Sequence, residues 1–159
     1  MTFALSVHRT TTTDPLARPL LDELAHEYTT RYGSAHDLHR YPAAEFAPPH
    51  GAFLLLMEQG RPVAGGAYRR YDEDTAELKR IWTHSAHRRR GLARRVLTVL
   101  EREAAARGYS RIYLTTGPRQ PEAKGLYLAS GYRPLFDVSA DPESIGPLPF
   151  EKFLENPKP

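Results

Sequence analysis

The sequence predicts one α/β domain built on a mixed, mostly antiparallel central sheet of about six or seven strands, flanked by about four helices. Three observations carry this expectation. Short runs in which apolar and polar residues alternate, such as Phe3-Ala4-Leu5-Ser6-Val7-His8, have the period of half-buried strands. Residues 52 to 83 form three strand-like runs separated only by turn residues, as in an antiparallel meander. A long amphipathic stretch then precedes the run from Arg111 to Thr116, and a connection of that length joins parallel neighbours. The 159 residues suffice for one core without staples, so residues 1–159 are read as a single domain.

The first strand is the alternating run from Phe3 to His8. Thr13 or Asp14 then caps a helix whose first position is Pro15, where a missing N–H costs nothing. Leu16, Leu20, Leu24 and Tyr28 recur every fourth residue along it, and Gly33 stops it. From Ser34 to His50, Pro42, Pro48 and Pro49 predict irregular structure with one short helix. Ala52 to Glu58 is a nearly continuous apolar strand, Val63 to Tyr71 the next, and Thr75 to Thr83 the third of the meander. Gly65-Gly66 inside a strand marks a bulge or a close backbone approach. Leu92, Val96, Leu100 and Ala104 form the stripe of a core-packed helix ending at Gly108. Then follow a strand from Arg111 to Thr116, a helix from Pro121 to Ser130, a strand from Tyr132 to Val138, a loop from Ser139 to Pro149, and a last edge strand from Phe150 to Leu154. Residues 155–159 are expected to be a flexible tail.

Composition excludes several chemistries. Cysteine is absent, which removes disulfides, thiolate metal sites and covalent thiol catalysis. His36 and His39, and His84 and His87, are three apart, yet no third ligand completes either set at a recognisable spacing, so no metal is expected. No segment approaches the roughly 20 apolar residues of a membrane span, and the N-terminus lacks a basic region followed by an apolar core. A cytoplasmic protein with no membrane association is expected. Charge is uneven: residues 1–58 carry −3, residues 59–119 carry +8 and the remainder −2.

The basic middle centres on Arg88-Arg89-Arg90-Gly91-Leu92-Ala93, a loop between a strand and a helix. Glycine lets backbone amides turn inward, and the N–H groups opening a helix attract a polyphosphate. Neither G-x-x-x-x-G-K-[ST] nor G-x-G-x-x-G is present, so the two common nucleotide loops are excluded. The dense arginines also fit a nucleic-acid patch, whose affinity would fall steeply with salt.

The pattern [Q/R]-x-x-G-x-[G/A], matched by Arg88, Gly91 and Ala93, resembles the acyl-CoA pyrophosphate loop of the GNAT superfamily of N-acetyltransferases. Glu77 to Thr83 precedes it as in that family, and Gln120-Pro121-Glu122-Ala123-Lys124-Gly125-Leu126-Tyr127-Leu128-Ala129-Ser130-Gly131-Tyr132 resembles its second motif. The resemblance implies a GNAT fold over nearly the whole chain, with the parallel strand pair splayed apart where the cofactor binds. It implies acetyl-CoA as donor, a primary amine as acceptor, and direct transfer in a ternary complex, with no metal and no nucleic acid. Ile81, Trp82 and Thr83 are then expected along the pantetheine, Arg88, Arg89, Arg90, Gly91, Leu92, Ala93 and Arg94 about the pyrophosphate, and Gln120 at the cofactor. Tyr127 is the expected acid for the departing thiolate, since a phenol stays protonated at neutral pH.

The base is less defined. Where many relatives carry a glutamate in the fifth strand this chain has Thr115, which leaves Glu77, acting directly or through water, or pairing instead with Lys79 or Arg69. An acceptor arriving deprotonated needs no base. The acidic flanks favour a cationic amine. A longer acyl-CoA donor and a non-catalytic acyl-CoA-binding regulatory module are the alternatives, and the chain is expected to be a monomer or a homodimer.

Overall fold

In the computed structural model, which describes residues 3–155, one seven-stranded sheet runs in the order β1-β2-β3-β4-β5-β7-β6. The strands are β1 (Leu5–Arg9), β2 (Ala52–Glu58), β3 (Arg61–Arg70), β4 (Thr75–Thr83), β5 (Arg111–Thr116), β6 (Arg133–Pro134) and β7 (Leu148–Phe153). Four α-helices are present among the described residues: α1 (Arg18–Tyr32), α2 (Leu92–Ala106), α3 (Pro121–Ala129) and the single turn α4 (Pro142–Ile145). Among the described strands only β4 and β5 pair in parallel, as the long helix between them requires. None of these helices is long and apolar enough to cross a membrane.

The continuous apolar run of β2 reflects burial on both faces of the sheet. Ala52, Leu54 and Leu56 join the cluster under α2, with Val96, Leu97, Leu100 and Ala104. Phe53, Leu55 and Met57 point the other way and join Leu20 and Leu24 of α1. A side chain at Gly65 would meet Leu20 and the Leu54 carbonyl, and one at Gly66 would meet Ile81 and Leu100, which explains the glycine pair by close approach from both layers.

Opposite Gly66, the pairing of β3 with β4 shifts by one residue, because Ala67 pairs with Lys79 and Gly65 with Trp82. The extra residue is Arg80, held at φ 59°. This bulge reverses which face each later residue of β4 presents. Ala76 and Leu78 lie on the α2 face, whereas past the bulge Trp82 packs into the α1 cluster.

Three expectations are corrected. The first strand is an outer strand with Val7 51% exposed, so only Leu5 of its apolar residues reaches the core. The strand expected from Tyr132 to Val138 has ladder pairs at Arg133 and Pro134 and one further bond, from the Leu135 amide to the Pro149 carbonyl, after which it ends because Pro149 has no N–H to return. The last strand is interior: β7 runs antiparallel to β5 through six residue pairs and carries β6 on its other side. The 34–50 segment forms two 3₁₀ turns, His36–His39 and Ala43–Phe46, and α4 lies within the expected late loop. Of the expected tail, residues 156–159 lie outside the described residues.

Asp14 caps the 3₁₀ turn Pro15–Ala17 that leads into α1, accepting hydrogen bonds from the Leu16 amide, Thr10 and His8. Those bonds, the one from His8 first, hold its carboxyl down at about 2. A depressed folded-state value contributes stability that is present above the unfolded aspartate's value and lost as pH falls through the folded one. Asp14→Ala is therefore expected to lower the melting temperature by several degrees at neutral pH, and the gap to the parent protein should close as melts are repeated down to pH about 2.

Candidate active site

The parallel ladder joins Thr75 to Arg111, Ala76 to Ile112 and Glu77 to Tyr113, and then stops. Beyond it β4 stays with β3 through the bulge and β5 stays with β7, and no pair joins the two strands. A cavity of about 1010 Å³ opens along that unpaired stretch.

One end of the cavity is the arginine loop. Arg88 is extended, Arg89 and Gly91 are left-handed at φ 65° and 73°, and Gly91 caps α2 without any side-chain bond to the helix amides. The first-turn N–H groups of α2 are thus left without a capping side chain, an arrangement suited to an anion. Arg88, Arg89, Gly91, Leu92, Ala93 and Arg94 all line the cavity.

Ile81, Trp82 and Thr83 form the wall along β4. Trp82 is held by Glu23 of α1, which also lines the cavity: Nε1 donates to it at 2.9 Å, and the same carboxylate accepts from the Ser85 amide at 2.9 Å. Burial opposes the charge on Glu23, but the bonds from Ser85 and Trp82 outweigh it and hold the carboxyl below the usual range. Tyr127 of α3 lines the opposite wall, its ring packed against Tyr132 and Phe150 with centroids 5.7 and 5.6 Å away. Burial first, and Tyr28 second, push its phenol above the ordinary value, so it keeps its proton at any physiological pH. Gln120 also lines the cavity, with its side-chain oxygen accepting from the Tyr32 hydroxyl and the Gly117 amide, both at 3.2 Å. A side chain at Gly117 would meet the end of the Tyr32 ring, so a larger residue there would displace the phenol that bonds Gln120.

Two expected residues stand apart from the cavity. Arg90 turns outward, where it is ion-paired with Glu58, and its side chain does not face the cleft. Glu77 is 4% exposed and does not line the cavity; Arg69 Nη1 donates to it at 2.8 Å and Lys79 Nζ lies 3.5 Å away. Direct approach of its carboxylate to a cavity ligand is therefore not what the geometry provides, and the pairing with Lys79 and Arg69 is what it does. The half of the cavity that sequence reasoning left open is formed by Tyr28, Leu38, Tyr41, Phe46 and Arg80. Its one signal was in β4, where Lys79-Arg80 puts two polar residues together and breaks the alternation.

The sequence model of the Acetyltransferase (GNAT) family matches residues 18–132. The chain belongs to that family and is an acyltransferase. It is 36% identical over 126 residues to the uncharacterized N-acetyltransferase YsnE of Bacillus subtilis, which covers 67% of this chain and 83% of that protein. Among solved structures, an acetyltransferase of the GNAT family from Staphylococcus aureus superposes with a TM-score of 0.75 at 15% identity, covering 96% of this chain and all of that one. A GNAT family acetyltransferase from Elizabethkingia anophelis with acetyl-CoA bound gives 0.69 at 16% identity, over 94% and 98% of the two chains.

Glu77→Gln is expected to cost about 1–3 kcal/mol in urea unfolding, the order of a hydrogen bond to a charged group. Acetyl-CoA titrations read by the fluorescence of Trp82, the single tryptophan, should be nearly unchanged.

Proposed function

We propose that this chain transfers an acetyl group from acetyl-CoA to a primary amine of a small molecule or peptide, with both substrates bound at once. The observation that carries the reading is the continuity of the cavity. It runs from the arginine loop, along the opened edge of β4, past Tyr127, to a pocket of mixed polarity under α1. The acetyl-CoA seen in the Elizabethkingia relative supports the choice of donor.

In this reading the loop amides and the flanking arginines, Arg88, Arg89 and Arg94, take the pyrophosphate. The peptide groups of Ile81 to Thr83, which have no partner on β5, take the pantetheine by strand-like pairing. The amine nitrogen attacks the thioester carbon, the C–S bond breaks, and the departing thiolate receives the Tyr127 proton, which solvent replaces. Holding two reactants in register supplies much of the rate, and the phenol supplies the general acid. We assign Glu77 to holding Lys79 beside the acceptor pocket rather than to accepting the amine's proton, which passes to water.

Acetyl-CoA is expected to raise the melting temperature more than ATP at equal concentration. Tyr127→Phe should lower kcat by about 10²–10⁴-fold, the usual worth of a positioned acid, with the KM for acetyl-CoA nearly unchanged. Tight binding of acetyl-CoA with no turnover across an amine panel would instead identify a binding module without chemistry.

A further inference from the structure

Arg80 is the one cavity-lining cation that is buried, at 6% exposure, and it has no acidic partner among the described residues. Its Nε and Nη1 are enclosed with no hydrogen bond, and its Nη2 has only the Leu38 carbonyl at 3.4 Å. The guanidinium lies near the rings of Phe46 and Phe53, at 4.5 and 5.1 Å from their centroids. Such contacts offset part of the cost of taking a charge out of water, and an unpaired one leaves most of it. The surrounding acids are already engaged: Glu45 and Glu77 with Arg69, Glu27 with Arg31, and Glu23 with the Trp82 indole and Ser85. Asp37 is exposed on the 3₁₀ turn that carries Leu38, and it makes no ion pair with Arg80. The same residue is the left-handed bulge of β4, so backbone strain and a buried charge coincide at one position. The fold's packing accounts for the strain, but nothing among the described residues compensates the charge, and uncompensated buried charges cluster at ligand sites.

We infer that the acceptor is an amino-carboxylic acid whose carboxylate is the missing partner of Arg80. Tyr28, Leu38, Tyr41 and Phe46 line the same end of the cavity and supply its apolar walls. A single guanidinium beside flat rings matches a flat monoanion; a phosphate dianion would keep an uncompensated charge there. Arg80 directly precedes Ile81, so a carboxylate on it leaves the amine of the same molecule toward the thioester. That last orientation rests on the proposed acetyl transfer, whereas capture of the carboxylate does not.

The test uses the full chain saturated with CoA, which cannot react, titrated with the proteinogenic α-amino acids and with their α-carboxamides. Binding is read by Trp82 fluorescence and by calorimetry. At least one amino acid should bind about tenfold or more tightly than its amide, as expected when a charged hydrogen-bond partner is removed. Arg80→Met should abolish that preference, and Arg80→Lys should retain part of it. Arg80→Met should also leave the melting temperature of the free protein equal or higher, since it replaces an unpartnered buried cation by an apolar chain. The inference is overturned if no amino acid is preferred over its amide, or if the preference survives in Arg80→Met. It is overturned equally if Arg80→Met melts far below the parent, which would make Arg80 a structural cation. A separate CoA titration reports on the donor, so failure to bind CoA would sink the acetyl-transfer reading and leave the carboxylate result standing.

Discussion

The single inserted residue in β4 is the constraint on which the site depends. Without Arg80 as a bulge, the alternation set by Ala76 and Leu78 would carry Trp82 onto the α2 face and Ile81 onto the other. With it, Trp82 reaches Glu23 on α1 and Ile81 packs against the α2 cluster beside Gly66. A left-handed non-glycine residue costs about 1–2 kcal/mol. Burying a large apolar side chain contributes about 1.5–3 kcal/mol, so placing two of them on the correct faces outweighs the strain. The bulge lies in the stretch of β4 that has no partner on β5, and the cavity opens along that stretch.

Much of this was legible from residue pattern. The meander from Ala52 to Thr83, the cap at Asp14, the stop at Gly33 and the parallel β4–β5 pair each follow from local chemistry, because period, caps and crossover length are short-range properties. The loop residues from Arg88 to Arg94, Arg90 excepted, line the cavity together with Ile81, Trp82, Thr83, Gln120 and Tyr127 for the same reason: a strand, a loop and a helix start have one mutual geometry. What local pattern does not carry is partner choice across the fold. The placing of β7 between β5 and β6 is decided by pairing between strands remote in sequence. The turning of Arg90 toward Glu58 is decided by a neighbour 32 residues away.

Charge illustrates the same limit. The acidic balance of the flanking segments pointed toward a cationic acceptor, but the cavity does not average over segments. Of its acids, Glu27 is paired with Arg31 and Glu143 with Arg119, Glu23 is bonded by Trp82 and Ser85, and exposed charges beyond about a Debye length of 10 Å are screened. The buried charge among the lining residues whose polar atoms lack partners is the cation Arg80. An amino acid reconciles the two observations, because it brings a cationic amine and an anionic carboxylate in one molecule.

The two halves of the cavity are built by different means. The loop and the opened strand edge offer mainly backbone groups, whose geometry is set by the sheet, by Gly91 and by the start of α2. Almost any sequence that preserves the glycine and the layer packing preserves that half, which fits a TM-score of 0.75 at 15% identity with the Staphylococcus aureus relative. The acceptor half is made of side chains, several of them on 3₁₀ turns that pair with no strand and are held by single anchors such as Leu38 and Phe46. Substitution there changes the pocket without disturbing the sheet. Within this chain the exception is Arg80, which belongs to the sheet and reaches into the variable half. The residue whose backbone forms the β4 bulge is, in the proposed reading, also the one whose side chain takes the acceptor.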